Sequence, residues 1–366
     1  MNEYYIGLLS GTSVDGIDAA IVDFSNNDIK LICTHVQSFS ELLKDKIQNI
    51  IKSQSVTLQQ FSEIDSLLAF EFSQATNILV NKSKINKNNI IAIGSHGQTV
   101  FHQPNGNHPN TIQLGSAHKI AAMTDINVVC NFRNLDMATE GQGAPLAPFI
   151  HQKLFCQDDK NTAVINLGGI ANISFIGKDF KQIIGYDVGP ANCLIDEWIY
   201  IHKQLPFDEN GSWARQGQVN HTLLSQMLSD NYFSKTAPKS TGREYFNHKW
   251  YDNYIDQFQK TSAVDIQTTL SHLVAATIYN EISDKPIDNI ILMGGGTNNA
   301  FIKELIQQYC GIETKISNEF GYDSNWIEAI LFAYLAYKRS NNHKLDLSSF
   351  TGSTRKILVG DIVTVR

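Results

Sequence analysis

Gly7-Leu8-Leu9-Ser10-Gly11-Thr12-Ser13-Val14-Asp15-Gly16-Ile17-Asp18 leaves one short apolar run, Tyr4 to Leu9, and enters another, Ala19 to Phe24. Two apolar runs joined by so compact a polar turn predict a β-hairpin. Glycines let a backbone bend sharply and bring its N–H groups close to an anion, and the hydroxyls of the turn add further donors. The stretch holds no lysine, and its aspartates, Asp15 and Asp18, would repel a phosphate unless a divalent cation lay between them. A loop for a magnesium-bound nucleotide satisfies both conditions, with Asp15 and Asp18 as the groups near the metal. It is not the Walker pattern, which needs Gly-Lys-Ser/Thr opening a helix. A plain Asp-Gly hairpin turn explains the same residues by conformation alone.

Working outward, "AAIVDF", an Asn-Asn-Asp turn at 26–28 and "IKLICTHV" complete a β-meander over 4–36. Residues 40–85 carry helical spacing. "IIAIGSHGQTV" at 90–100 reads as a buried strand running into a glycine-containing loop, followed by a polar loop at 103–110. A second opening of the same kind begins at 162, where "TAVINLGGIANISFIG" is again strand, glycine turn, strand. It continues through "IIGYDVGPANCLIDEWI" into a helical stretch. "NIILMGGGTNNAFIKELIQQY" at 289–309 then reads as a buried strand, three glycines and a helix. The pattern predicts two α/β lobes, each starting with its own antiparallel hairpin and facing a shared cleft. The expected limits are 1–131 for the first lobe, with 345–366 packing back on it, and 132–344 for the second.

The chain has 366 residues, 42% hydrophobic and 18% charged, which suits a globular protein with substantial cores. A net charge of −7 argues against a dedicated nucleic-acid binder. The five cysteines are scattered and include no Cys-x-x-Cys, as expected of reduced thiols rather than a disulfide or zinc framework. Met1-Asn2-Glu3-Tyr4 places no basic segment before its apolar run, and no apolar run approaches the ~20 residues that span a bilayer. The expectation is a soluble cytoplasmic protein with no membrane or nucleic-acid partner.

"GLLSGTSVDGID", "SHGQTVFH", "GQGAPLAP", "INLGGIANIS", "YDVGPANCLID", "KSTGREYF", "MGGGTNN" and "EAILFAYLA" occur in this order over nearly the whole chain. Together they resemble the anhydro-N-acetylmuramic acid kinases, a branch of the actin/hexokinase/Hsp70-like ATPase superfamily. The resemblance implies an α/β fold of two lobes with duplicated ribonuclease-H-like, actin-like ATPase cores around a nucleotide cleft. It implies ATP and Mg²⁺ as cofactors, and conversion of 1,6-anhydro-N-acetylmuramate, ATP and water to N-acetylmuramate 6-phosphate and ADP in peptidoglycan recycling. A homodimer is compatible with it.

Carried over residue by residue, Gly11, Thr12, Ser13, Val14, Asp15, Gly16, Ile17 and Asp18 match the ATP-phosphate loop. From the pattern itself, the turn with Asn166, Gly168 and Gly169 could grip a polyphosphate from the opposite side, and Gly294, Gly295 and Gly296 could let an adenosine lie against backbone. Asp187 matches the catalytic carboxylate, in a segment where Val188 and Ala191 replace the family's Thr and second Gly. His96, Gln98, Arg133 and Glu328 are the candidates for binding the sugar. Arg133 could pair with the lactyl carboxylate or brace its loop through Asp136, and Glu328 also suits the start of a helix. His96 and His102 lack a partner carboxylate at a zinc-ligand spacing. "KSTGREYF" carries the resemblance, but chemistry alone assigns no role to Lys239 or Arg243. The competing expectations are another sugar kinase of the superfamily and a non-catalytic nucleotide switch.

Overall fold

The computed structural model describes residues 3–11, 14–25, 28–180, 182–237 and 239–365. Thr12 and Ser13, both expected in the phosphate loop, lie outside the described residues. The strands, in chain order, begin with β1 (Tyr4–Ser10), β2 (Gly16–Asp23), β3 (Lys30–Ser38), β4 (Ile90–Gln103), β5 (Asn110–Leu114) and β6 (Val128–Cys130). They continue with β7 (Asn161–Leu167), β8 (Ile170–Gly177), β9 (Ile184–Pro190), β10 (Asn289–Met293), β11 (Thr314–Ile316) and β12 (Asp361–Val363).

The chain divides into two compact units, 1–150 with 326–366, and 151–325. In the first, the sheet order is β12-β6-β4-β1-β2-β3, with β5 paired to β4. Strands β1, β2 and β3 form an antiparallel meander, while β4 runs parallel to β1, and β6 parallel to β4. In the second, the order is β11-β10-β7-β8-β9. Here β7, β8 and β9 are the antiparallel meander, and β10 and β11 add in parallel beyond β7. The same order and directions thus occur twice, which is a duplicated ribonuclease-H-like core.

Alternation along β1 explains how its sheet is covered. Side chains of Ile6 and Leu8 enter a core with Leu68 and Phe72 of helix Leu58–Ser83. Gly7, on the opposite face, lies against helix Ile327–Ser340, and a Cβ there would overlap the Ala329 carbonyl oxygen. Gly94 of β4 is pressed in the same way against the Phe332 carbonyl. This packing moves the expected boundaries. Helix Ile327–Ser340, with Glu328, belongs to the first unit rather than the second, as do residues 132–150. The C-terminal segment also returns to the first sheet, where Asp361 to Val363 pair with Cys130 to Val128.

One expected loop is a strand. The glycine-containing stretch expected to leave the strand as a loop stays in it, and β4 runs on to Gln103 because its second half pairs with β5 from Gln98–Leu114 to Gln103–Asn110. On its other edge the pairing of β4 with β1 shifts register between Ser95 and Gln98, where Gly97 takes a φ of 75°. His96, Gln98 and His102 therefore sit on a sheet strand, not on a loop after it.

The second unit buries Ile165, Leu167, Ile173, Leu194, Leu270 and Leu292, from both its sheet and its helices. Val188 and Ala191 belong to the same core. A hydroxyl at 188 would need a partner there, so the aliphatic side chain suits its surroundings.

Candidate active site

In the first unit, the Leu9–Asp18 pair closes the register of β1 with β2, and beyond it Val14 N–H donates to the Gly11 carbonyl at 3.2 Å. Gln98 reaches this turn from β4. Its Oε1 accepts from Ser10 Oγ at 2.6 Å, and its Nε2 donates to the Gly11 carbonyl at 3.3 Å. Gln98 is 1% exposed, so its amide is spent inside the unit, bracing the glycine loop. That differs from the sugar contact expected of it. Val14 and Ile17 are core residues, and Gly16 lies against the Gln37 carbonyl of β3, too close for a Cβ.

The two aspartates of the loop differ. Asp15 is exposed and pairs with Lys44 Nζ at 2.7 Å. Lys44 lies on helix Glu41–Ser53, whose first turn is fixed by the Ser40 hydroxyl accepting from Leu43 N–H. The loop without a lysine of its own thus has one supplied from a helix. Asp18 is half-buried on β2, and burial pushes its carboxyl above the ordinary value. Oxygen donors of this kind suit a hard divalent cation. With Asp15 already paired, Asp18 is the better placed of the two. Among the described residues no group of three or more His, Cys, Asp or Glu is assembled to hold a metal on protein ligands alone.

A second cluster surrounds Arg133. Its Nε donates to His96 Nε2 at 2.9 Å and its Nη1 to the Gly143 carbonyl at 2.7 Å. His96 Nδ1 lies 3.0 Å from the Gly97 carbonyl, so the ring is neutral with its proton on Nδ1. Burial first, and the neighbouring Arg133 charge second, hold His96 well below its ordinary pKa. Both nitrogens are used within the unit, so His96 orients Arg133 instead of meeting a sugar itself. Among the described residues no hydrogen-bond partner is placed at Arg133 Nη2. Burial draws the guanidinium down to about 10 against the raising influence of Glu328 and Asp136. Asp136 accepts from Gly143 N–H at 2.7 Å and from Thr351 Oγ1 at 2.8 Å, fastening the loop that Arg133 also grips. Glu328 opens its helix with an exposed side chain. Even so, surrounding protein and the Asp18 charge raise its carboxyl, while Arg133 opposes the shift.

The second unit holds the other expected residues. Asp187 on β9 is the register partner of Asn172 on β8. Asn172 Nδ2 donates to Asp187 Oδ1, and Asn166 Nδ2 donates to Asn172 Oδ1 at 3.4 Å. Thr241 N–H donates to Asp187 Oδ2 at 2.9 Å. Burial raises the Asp187 carboxyl to about 6 and the Glu244 charge adds to it, while the Thr241 and Asn172 hydrogen bonds work the other way. Such a group is ionised at neutral pH yet still a usable base.

Beside it, the Gly168 and Gly169 carbonyls accept from the backbone N–H groups of Asn192 and Cys193, tying the β7–β8 turn to the start of helix Asn192–Lys203. Gly294, with φ of 84°, has Asn166 Oδ1 where a Cβ would stand, and Gly296 is crowded by Leu167. Gly295 differs, since no protein atom would lie within 4 Å of a Cβ there. Two glycines therefore serve packing, and the middle one leaves open space.

Asn172, Thr241 and Lys44 were not among the expected site residues. Asn172 could have been found from its spacing, since period-two alternation in "INLGGIANIS" puts Asn166 and Asn172 at matching positions of a hairpin. Lys44 and Thr241 are brought in by tertiary packing, with no local signal.

The profile of the anhydro-N-acetylmuramic acid kinase family matches residues 3–365. A relative of that name from Sulfurovum sp. is 42% identical over 362 residues, covering 98% of this chain and 99% of its own. One from Shewanella denitrificans is 41% identical over 360 residues, covering 98% and 97%. One from Haemophilus influenzae is 40% identical over 374 residues, covering 98% and 97%.

Proposed function

This chain belongs to the anhydro-N-acetylmuramic acid kinase family, and on that premise we propose how its residues carry the reaction. It is an ATP-dependent sugar kinase that phosphorylates 1,6-anhydro-N-acetylmuramate with hydrolytic opening of the anhydro ring, giving N-acetylmuramate 6-phosphate and ADP in peptidoglycan recycling. The observation that carries the assignment of roles is Asp187. It is a carboxylate held by two N–H donors, and burial raises it to about 6.

The substrate has no free 6-hydroxyl, because O6 is bridged to C1. Asp187 takes a proton from the water that attacks C1. The C1–O6 bond breaks, and its electron pair leaves with O6. O6 then bonds to the γ-phosphorus of ATP as the bond from phosphorus to the β,γ-bridging oxygen breaks and ADP departs. Transfer to phosphorus replaces the proton that a second carboxylic acid would otherwise give the leaving oxygen. One carboxylate is then enough.

The loop 11–18 of the first unit is assigned to the ATP phosphates, with Gln98 as its brace. Asn166, Gly168 and Gly169 are assigned to the phosphates from the second unit, and the open space at Gly295 to the adenosine. Mg²⁺ would be held by Asp18 together with phosphate oxygens, and would supply charge neutralisation on the phosphates. Arg133, oriented by His96, is assigned to the lactyl carboxylate, which a guanidinium binds in a planar fork. Glu328 is assigned to a sugar hydroxyl.

No helix among the described residues is long and apolar enough to cross a membrane. The proposed setting is the cytoplasm, where ATP is supplied, and a homodimer is the oligomeric state to test by sedimentation. The reaction assignment is tested by mass analysis of products from ATP with anhydro-N-acetylmuramate and, separately, with N-acetylmuramate. Phosphorylated product from the first alone is expected. Product only from the second would identify an ordinary sugar kinase.

A further inference from the structure

The strap of chain at Lys239, Ser240 and Thr241 has no regular structure, yet it makes two backbone hydrogen bonds to Asp187. Asp187 N–H donates to the Lys239 carbonyl at 3.2 Å, and Thr241 N–H donates to Oδ2 at 2.9 Å. A strap outside helix or sheet needs something else to fix its position. Lys239 supplies it, because its side chain is 2% exposed and Nζ pairs with Glu281 Oε1 at 2.6 Å. Glu281 sits in the last turn of helix Ala263–Ile282. Its Oε2 accepts from the hydroxyl of Tyr186, the residue before Asp187 on β9, at 2.8 Å. The ammonium also lies over the rings of Tyr186 and Tyr232, 5.6 and 5.2 Å from their centroids. Tyr232 Oη in turn donates to the Asp187 carbonyl at 2.7 Å. One ion pair therefore ties together the strap, the strand and the helix around a single carboxylate.

We propose that Lys239 and Glu281 are positioning residues for the reaction, anchoring the strap whose Thr241 N–H orients the carboxylate of Asp187. The proposal rests on Asp187 being the general base. A buried ion pair is a poor source of net stability compared with apolar packing of the same volume, so geometry is the better account of its presence here. The groups facing Asp187 are Asn172 from β8, Tyr232, Thr241 and Glu244. Lys239 and Glu281 act behind them. Losing the Thr241 donor removes an interaction that favours the ionised carboxylate, so the base would need a higher pH to ionise.

The test is the pH profile of kcat/KM for E281Q and for the double variant K239M/E281Q. The double variant leaves no buried unpaired charge and is the one expected to fold if the single variant does not. In both, the acid limb should move up by about half a pH unit or more, and kcat should fall about tenfold or more, with KM for ATP within about twofold of wild type. A purely structural role would lower the active fraction and leave the limb where it is. An unmoved limb with wild-type kcat in the folded double variant would overturn the proposal. D187N is measured alongside. If it retained wild-type turnover and limb, the assignment of the base itself would have failed, a result distinct from an unmoved limb in the anchor variants.

Discussion

Asn172 and Asp187 are register partners across the β8–β9 ladder, and the Asn172 amide donates to the Asp187 carboxylate. Asn172 also accepts from Asn166, so the base and the β7–β8 hairpin share one hydrogen-bond chain. The carboxylate uses both oxygens as acceptors, which fixes its direction. Replacing Asp187 by Asn removes the base but keeps its size. Turnover should drop by ~10²–10⁴-fold, the usual range for losing a general base, with the fold and ATP affinity largely kept. Calorimetry and single-turnover kinetics check this, and near-normal turnover in a folded D187N would remove Asp187 from the mechanism.

The pH dependence follows from the raised carboxyl. Asp187 must be ionised to act, and burial puts its pKa at about 6. Log kcat/KM should therefore be flat near neutral pH and fall with a slope of about one below pH 6. A profile level down to the ordinary carboxylate range would mean that the acting base is a solvated group.

Gly295 separates binding from folding. A Cβ there meets no protein atom, and its φ is not in the left-handed region. G295V should leave the unfolding midpoint nearly unchanged while weakening ATP binding about tenfold or more, if adenosine occupies that space. Unchanged ATP affinity would move the adenosine elsewhere.

Gly7 is the structural counterpart. A Cβ there would overlap the Ala329 carbonyl, backbone of a helix that cannot yield. G7A should destabilise the first unit by about 1–3 kcal/mol or more, the scale of an overpacked core, measured by urea unfolding. A loss of only a few tenths would mean that helix Ile327–Ser340 can slide along the sheet.

Much of this was legible in the sequence. Both hairpins and the late strand at 289–293 follow from apolar runs and glycine turns, and the duplication follows from their repetition. Asp187, the proposed base, stands out in the sequence through the motif around it. The misplacements share a cause, which is long-range pairing. β4 extends through His96 to Gln103 because β5 pairs with it. Glu328 joins the first unit because Gly7 and Gly94 let its helix lie flat on the sheet. Period and composition do not report which strand a segment will meet, nor that Lys44 would reach Asp15.

The reaction run in ¹⁸O-water and quenched early tests the claim that Asp187 directs water to C1. The account predicts label in the anomeric hydroxyl, none in the transferred phosphoryl group, and the inverted anomer formed first. An unlabelled-product control accounts for slow exchange at the anomeric carbon. Label in inorganic phosphate with the sugar untouched would contradict the account, since ATP would then be hydrolysed without the ring being opened.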